Sequence, residues 1–211
     1  AMRRASDTIL NEGVDFAVAV GDLTGQGLPE EFDVTFRGWQ DLGSRMNIWT
    51  VPGNHDEKNI QGYFDAMAMP HGNQDEPGFE EGWWSRRIGN VWMGGGWIRD
   101  FYMSPPEAEF GEVGWFKKQF ESEEFKTAKW KLFFIHQPAY SVQWDDSCEF
   151  DGETCLKVTL IPLMSQYGLQ ASFHGHMHGI EWAELDGVNM FTIGGLTGSM
   201  DEEVCFPKEG F

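Results

Sequence analysis

Four apolar segments of this chain each end in side chains that can bind a metal ion, and this recurrence constrains the fold more than any other feature. The first segment, Val14–Val20, is nearly continuous in apolar residues, which is typical of a strand buried in a mostly parallel sheet. Ligands of open α/β sheets bind beyond the carboxyl ends of the strands, so we expect the side chains at these four ends to converge. They are Asp22, then Asn54 and His55, then His136, and finally the triplet His174, His176 and His178.

Strand-like and helix-like segments alternate along the whole chain. Strands are predicted over residues 14–20, 47–51, 83–88, 91–93, 131–135, 170–173, 181–185 and 188–193. Helices are predicted over the first ten residues, 29–42, around 63–67, from 115 to 125, and over 160–167. Because no repeat, low-complexity tract or linker interrupts this order, we expect a single α/β domain over residues 1–211.

The predicted first helix is already in progress where the sequence starts. Met2, Ala5 and Ile9 form its apolar stripe, and Gly13 is a typical helix stop. Without a strand ahead of this helix, the strand 14–20 would have an open edge. We therefore expect the domain to be N-terminally incomplete here, with its first strand upstream of Ala1.

The charge of the chain limits its partners. It contains 34 acidic and 15 basic residues, a formal net charge of −19. This charge repels nucleic acids and anionic membranes, so it argues against nucleic acid as a generic partner. A phosphate substrate would also be repelled unless bound cations neutralised the charge locally. A solvated acidic surface suited to salty or extracellular water also explains the composition.

No apolar segment has the length of a membrane span.

The three cysteines leave the redox compartment open. Cys148 and Cys155 flank a turn-forming Asp-Gly pair, so a disulfide between them is geometrically reasonable and would indicate an oxidising compartment. Free thiols fit the same sequence equally well, and Cys205 is left over. From this pair and the acidic surface we expect an extracytoplasmic or secreted protein.

The candidate ligands are oxygen and nitrogen donors without thiolates, a set that suits Zn, Mn or Fe better than Ca or Mg. Two such metals about 3.5–4 Å apart can hold both ends of an in-line phosphoryl transfer and supply a bridging hydroxide as nucleophile. Asp22 is the natural carboxylate to bridge them, and His55 is placed in sequence to protonate the leaving oxygen. A His-x-His pair alone is better explained by a strand edge with one solvated and one buried imidazole. The other three segments favour a metal site.

Four motifs together resemble the calcineurin-like metallophosphoesterase superfamily. They are Gly21-Asp22, Gly53-Asn54-His55-Asp56, Ile135-His136 and Gly175-His176-Met177-His178, in matching order and spacing over essentially the whole chain. Segments 115–118 and 155–201 are similar to small purple acid phosphatases of the tartrate-resistant type. The resemblance implies an α/β sandwich of mixed sheets flanked by helices. It also implies an acid-phosphatase-like enzyme that hydrolyses phosphate monoesters or diesters.

The resemblance further implies a centre of two metals, each Fe, Zn or Mn. Asp22 would bridge the two metals. One of them would be bound by Asn54, His136 and His176, and the other by His178.

Three more residues receive roles from the same resemblance. His55 would bind a phosphate oxygen and donate a proton. His174 lies outside the motif and is expected to be structural or to support a ligand. Asp56 is expected to orient His55 or its loop rather than bind metal.

The sequence departs from the family pattern at two places. The family's first motif, with an Asp that completes the second metal site, is absent, and purple enzymes have a tyrosine where this chain has Gly25. No tyrosinate–iron centre is therefore expected. The first departure leaves a second interpretation open, in which the chain is a non-catalytic binding or structural module on a phosphoesterase scaffold with an incomplete metal site.

Overall fold

Helices and strands alternate along the chain as the sequence predicts. The computed structural model describes residues 2–67, 82–97, 111–141 and 151–195. The helices of these residues are α1 (Met2–Glu12), α2 (Pro29–Gly43), α3 (Ile60–Ala66), α4 (Gly111–Phe120), α5 (Glu123–Lys126) and α6 (Asp151–Tyr167). The strands are β1 (Phe16–Val20), β2 (Asn47–Val51), β3 (Trp84–Ile88), β4 (Val91–Gly95), β5 (Trp130–Phe134), β6 (Ala171–His174), β7 (Ile180–Leu185) and β8 (Val188–Ile193). A short 3₁₀ turn, Asp56–Asn59, precedes α3.

The strands form two sheets. Strands β1 and β2 pair in parallel, and the other six follow the order β3-β4-β5-β6-β8-β7. In the larger sheet β4, β5, β6 and β8 are parallel, while β3 and β7 pair antiparallel at its two edges. Val20 lies opposite Val51, and Phe134 lies opposite Phe173. The strands of each pair therefore end in register, and the loops that follow them leave the same edge of the sheet.

Successive side chains of β1 point to opposite faces of the small sheet, so one face packs against the larger sheet and the other against helices. Val18 and Val20 pack in a cluster with Trp49 and Phe134, which joins the two sheets. Ala19, between them, packs on the opposite side with Phe32 of α2. The small sheet therefore lies between the N-terminal helices and the large sheet.

The other face of the large sheet is covered by the later helices. Trp92 and Phe133, one residue out of phase with the inter-sheet side chains, pack against Phe116 and Leu160. All four are at most 1% exposed, and each such burial contributes about 1.5–3 kcal/mol. The result is a single α/β domain of four layers (helix, sheet, sheet, helix), which confirms the predicted sandwich of mixed sheets flanked by helices.

Two predicted helices are wrong in their bounds. Helix α6 begins at Asp151 rather than at Leu160, because Asp and Gly form turns but are also favoured at helix starts. The predicted helix 115–125 is divided into α4 and α5, because the hydroxyl of Ser122 accepts a hydrogen bond from the Phe125 N–H at 3.2 Å and caps a new helix.

The structure tests the expectations about membrane spans and cysteines only within the residues that it describes. Among these residues we find no helix with the length and apolar character that a bilayer crossing requires. Cys148 and Cys205 lie outside them, and Cys155 belongs to the backbone of α6. The proposed disulfide therefore stays a prediction.

Candidate metal centre

The ends of β1 and β2 bring Asp22 and Asn54 to one place. The registered ends of these strands, Val20 and Val51, lie opposite each other, and the ligand-bearing loops start there. The backbone N–H of His55 donates to Oδ1 of Asp22 at 2.9 Å and ties the two loops together. Asp22 has a φ of 51°, a left-handed conformation that non-glycine residues adopt mainly under constraint.

The ends of β5 and β6 add two imidazoles to the same place. Nε2 of His136 lies 3.1 Å from Oδ1 of Asn54 and 3.3 Å from Oδ2 of Asp22. Nδ1 of His176 lies 2.9 Å from the same Asn54 oxygen and 3.3 Å from Nε2 of His136. His176 also has a positive φ, of 66°. Four side chains from four strand ends therefore face one another.

These distances fit a single transition-metal ion. With metal–ligand bonds of about 2.0–2.2 Å, neighbouring donor atoms on one ion lie about 3–3.5 Å apart. The four contacts above span 2.9 to 3.3 Å. The donor atoms of Asp22, His136 and His176 all lie within 4.8 Å of one another.

The orientation of the His136 ring is fixed from behind. Its side chain is 1% exposed, and Nδ1 lies 2.6 Å from the carbonyl oxygen of Val20. Because a carbonyl only accepts hydrogen bonds, Nδ1 carries the hydrogen, and in the neutral ring Nε2 presents its lone pair to the cluster. This is the arrangement in which histidine binds a metal.

The electrostatics favour the ligand forms of Asp22 and His176. Burial alone would raise the pKa of Asp22, but the hydrogen bond and charge that His136 supplies when its ring is protonated outweigh burial and hold the pKa below its usual value. Burial, together with the charge of His136, lowers the pKa of His176 to about 4. An ionised carboxylate and a neutral imidazole are the states that metal binding requires.

Two glycines make this close approach possible. A Cβ atom at Gly53 would lie 2.3 Å from the backbone nitrogen and from Oδ1 of Asp22. A Cβ atom at Gly21 would lie 2.4 Å from Nδ1 of His136, and Gly21 also has a φ of +84°. Each glycine directly precedes a candidate ligand, so the ligands meet only because the preceding residue has no side chain.

Asp56 holds the two ligand loops together. It is fully buried, and its carboxylate accepts hydrogen bonds from the N–H groups of Gly53 (3.0 Å), Leu23 (3.2 Å) and Thr24 (3.0 Å). The Thr24 hydroxyl adds a fourth at 2.9 Å. Burial raises the pKa of Asp56, while these donors oppose the increase. A carboxylate fits them best, because it can accept all four hydrogen bonds, whereas a protonated oxygen would have to donate and would lose at least one of them.

His55 lies beside the cluster and His178 lies at its periphery. Nδ1 of His55 is 2.6 Å from the carbonyl oxygen of Gly25. His176 and His178 are half-buried on either side of Met177, which is fully buried and anchors their loop. His178 is close enough for its charge to contribute to the lowered pKa of His176, but its nitrogens are not among the clustered donor atoms.

His174 uses both ring nitrogens inside the fold. Nε2 lies 2.7 Å from the hydroxyl of Ser172, and Nδ1 lies 3.2 Å from the carbonyl oxygen of Gln137. Burial lowers its pKa to about 4, so the ring is neutral. With both nitrogens occupied, its role is structural.

Comparison with known proteins identifies the family of the chain. The family model of the calcineurin-like phosphoesterases matches residues 1–179. This chain belongs to the calcineurin-like phosphoesterase family. Membership supports hydrolysis of phosphate esters and the use of divalent metals. No curated protein matches the chain in sequence.

Solved structures show the same fold at low sequence identity. A purple acid phosphatase from yellow lupin (Lupinus luteus) matches with a TM-score of 0.76 and 16% identity, over 94% of this chain and 40% of that one. A dimetal phosphatase from Danio rerio matches with a TM-score of 0.65 and 13% identity, over 92% and 76%. GAP50, described as the anchor in the inner membrane complex of Plasmodium, gives 0.61 and 17%, over 97% and 71%. This chain thus spans 40% of the length of the lupin protein.

The structure brings together four of the predicted site residues and places others around them. Asp22, Asn54, His136 and His176 converge, while His55 joins them through its backbone and His178 stays outside the cluster. Sequence reasoning missed the contacts of Gly25 and Lys58 with His55. The available signal was the position of Lys58, three residues after His55. The sequence does not indicate that the Lys58 side chain reaches the loop of Gly25.

Proposed function

We propose that this protein is a metal-dependent phosphomonoesterase or phosphodiesterase with a centre of two metal ions, each Fe, Zn or Mn. The observation that carries the proposal is the convergence of Asp22, Asn54, His136 and His176 at donor distances suited to an ion. In a chain with a net charge of −19, bound cations would also provide the local positive charge that an anionic ester needs.

Each residue has a proposed part in the centre. Asn54, His136 and His176 would bind one metal, His178 would contribute to the second, and Asp22 would bridge them. When bound, such metals would neutralise charge on the phosphoryl group and lower the pKa of a water nucleophile. The ionised state of Asp22 and the neutral state of His176 support these parts.

His55 is the proposed proton donor. Its Nδ1 donates to the Gly25 carbonyl, so Nε2 is the nitrogen left to contact a phosphate oxygen and to protonate the leaving group. Position 25 is glycine, so this centre would differ from a purple one in having no tyrosinate ligand there. An acid-phosphatase-like subtype is part of the proposal.

A second function is favoured by one observation. Among the described residues, the His, Cys, Asp and Glu side chains grouped for metal binding are only Asp22, His136 and His176. A site limited to these and Asn54 would hold one ion, as expected of a non-catalytic binding or structural module. The Plasmodium neighbour, which shares this fold, is described as an anchor.

Elemental analysis combined with hydrolysis assays separates the two functions. After loading with Zn, Mn or Fe, the phosphoesterase should hold two ions per chain and hydrolyse p-nitrophenyl phosphate or bis(p-nitrophenyl) phosphate. His136→Gln should lose metal and turnover together, whereas the exposed Lys126→Met should lose neither. A chain that binds one ion and hydrolyses neither ester would support the binding module instead.

A further inference from the structure

The side chain of Lys58 connects the turn after β2 to the loop after β1. Its ammonium nitrogen lies 3.0 Å from the carbonyl oxygen of Gly25 and 3.2 Å from Oε1 of Gln26. It also lies 3.3 Å from Nδ1 of His55. Although Lys58 is exposed, all three contacts are with the segments that carry Asp22 and Asn54.

The carbonyl of Gly25 is the shared acceptor of these contacts. Nδ1 of His55 lies 2.6 Å from it, and a carbonyl oxygen cannot donate, so this nitrogen must carry the hydrogen. The ammonium group of Lys58 cannot donate to a nitrogen in that state. Lys58 and His55 therefore both donate to the Gly25 oxygen, and their closeness to each other follows from this common partner.

The loop that contains Gly25 is held from two sides. On the helix side, Oε2 of Glu31 accepts hydrogen bonds from the N–H groups of Gln26 (2.8 Å) and Leu28 (3.1 Å). These bonds fix N–H groups of the loop and leave the Gly25 carbonyl to be fixed by other donors. Lys58 supplies such a donor from the turn that directly follows His55.

We infer that Lys58 is a positioning residue, which fixes the orientation of the His55 ring by holding the Gly25 carbonyl that the ring donates to. The inference rests on the proposed function, because it concerns how His55 is presented to a phosphate ester. A proton donor contributes to turnover only when its nitrogen reaches the leaving oxygen in the right geometry. Loss of the ammonium group should allow the carbonyl and the ring to turn away together.

The test compares Lys58→Met with Lys58→Arg, and uses two esters that differ only in their leaving group. Phenyl phosphate needs its leaving oxygen protonated, whereas 2,4-dinitrophenyl phosphate does not. Lys58→Met should lower kcat for phenyl phosphate by about 10- to 100-fold and have a much smaller effect on the dinitrophenyl ester. KM, metal content and Tm should stay near the wild-type values. Lys58→Arg, which keeps the charge and the donors, should recover most of the loss.

Lys126→Met is the matched control, because Lys126 is also an exposed lysine and pairs only loosely with Glu123, at 3.8 Å. It should leave both esters unaffected. Equal losses on the two esters, no loss in Lys58→Met, or the same loss in the control would overturn the inference.

A crystal structure of Lys58→Met gives a reading that does not depend on turnover. The His55 ring should leave the Gly25 carbonyl or occupy more than one orientation, and an unchanged ring would contradict the inference. A metal-loaded wild type that hydrolyses no phosphate ester would refute the proposed function, and the ring orientation would still decide the role of Lys58.

Discussion

Replacing Asp56 by asparagine should destabilise the fold and weaken metal binding, although Asp56 is not a ligand. Its two carboxylate oxygens accept four hydrogen bonds, three from backbone N–H groups and one from the Thr24 hydroxyl. Asparagine has nearly the same shape, but one end of its amide donates instead of accepting. It cannot satisfy both sides of the site.

The size of the destabilisation follows from the less costly of the two orientations of the asparagine amide. Its NH₂ group would face Thr24, whose hydroxyl can turn and accept, so that the Thr24 N–H is the one backbone donor that loses its acceptor. An unpaired buried donor costs about 1–3 kcal/mol, and loss of the charge weakens the bonds from Gly53 and Leu23. We expect Asp56→Asn to lower the free energy of unfolding by about 2–4 kcal/mol. For Asp56→Ala we expect about 3–5 kcal/mol, because all three N–H groups lose their acceptor while entering water recovers part of the loss.

Urea unfolding of the metal-free protein measures this loss, and a metal titration measures the effect on the centre. Asp33→Asn is the control, since Asp33 is exposed and forms a surface ion pair with Arg37 at 3.5 Å; it should change stability by less than about 0.5 kcal/mol. The reasoning is refuted if Asp56→Asn is as stable as the wild type and binds metal equally well. That result would mean that Asp56 is protonated in the folded protein, in the direction in which burial moves its pKa.

Three other perturbations test the centre and its surroundings. Gly53→Ala should cost at least about 2 kcal/mol in urea unfolding and reduce metal content, because its Cβ would overlap Asp22, whereas Gly43→Ala, with 3.8 Å to the nearest atom, should be harmless. A transition metal at 100 times its Kd should stabilise the wild type by about 2.7 kcal/mol in thermal unfolding and should stabilise His136→Ala much less; equal stabilisation would place the ion elsewhere. Phe134→Leu, in the cluster between the two sheets, should weaken metal affinity in calorimetric titration. Phe120→Leu, in the cluster between the large sheet and its helices, should lower stability and leave metal affinity unchanged.

The sequence predicted the fold and the convergence of the ligands because both depend on local patterns. An apolar strand followed by a ligand identifies a strand end without knowledge of its neighbours, as at Val20-Gly21-Asp22. A hairpin turn is local as well, and the Asp186-Gly187 pair predicts the antiparallel pairing of the strands 181–185 and 188–193, as found for β7 and β8. The strand order β3-β4-β5-β6-β8-β7 has no such local signal.

What could not be predicted depends on contacts between distant residues. The sequence suggested a supporting or structural role for His174, but only the structure shows that Ser172 and Gln137 occupy both of its nitrogens. The positive φ of Asp22 was not predicted either, and this residue packs closely against Gly53 of another loop. The hydrogen bond from Lys58 to Gly25 spans 33 residues and depends on the register of β1 and β2.

The centre lies on the seam between the two sheets, and this position links its chemistry to the fold. Asp22 and Asn54 come from the small sheet, whereas His136 and His176 come from the large one. The bond between His136 and the Val20 carbonyl crosses the same seam. An ion bound by all four side chains would therefore hold the sheets together, and the packing between the sheets would in turn set the distances between the ligands. Because binding and folding share this seam, stability and metal affinity should change together for substitutions there, and independently for substitutions under the helices.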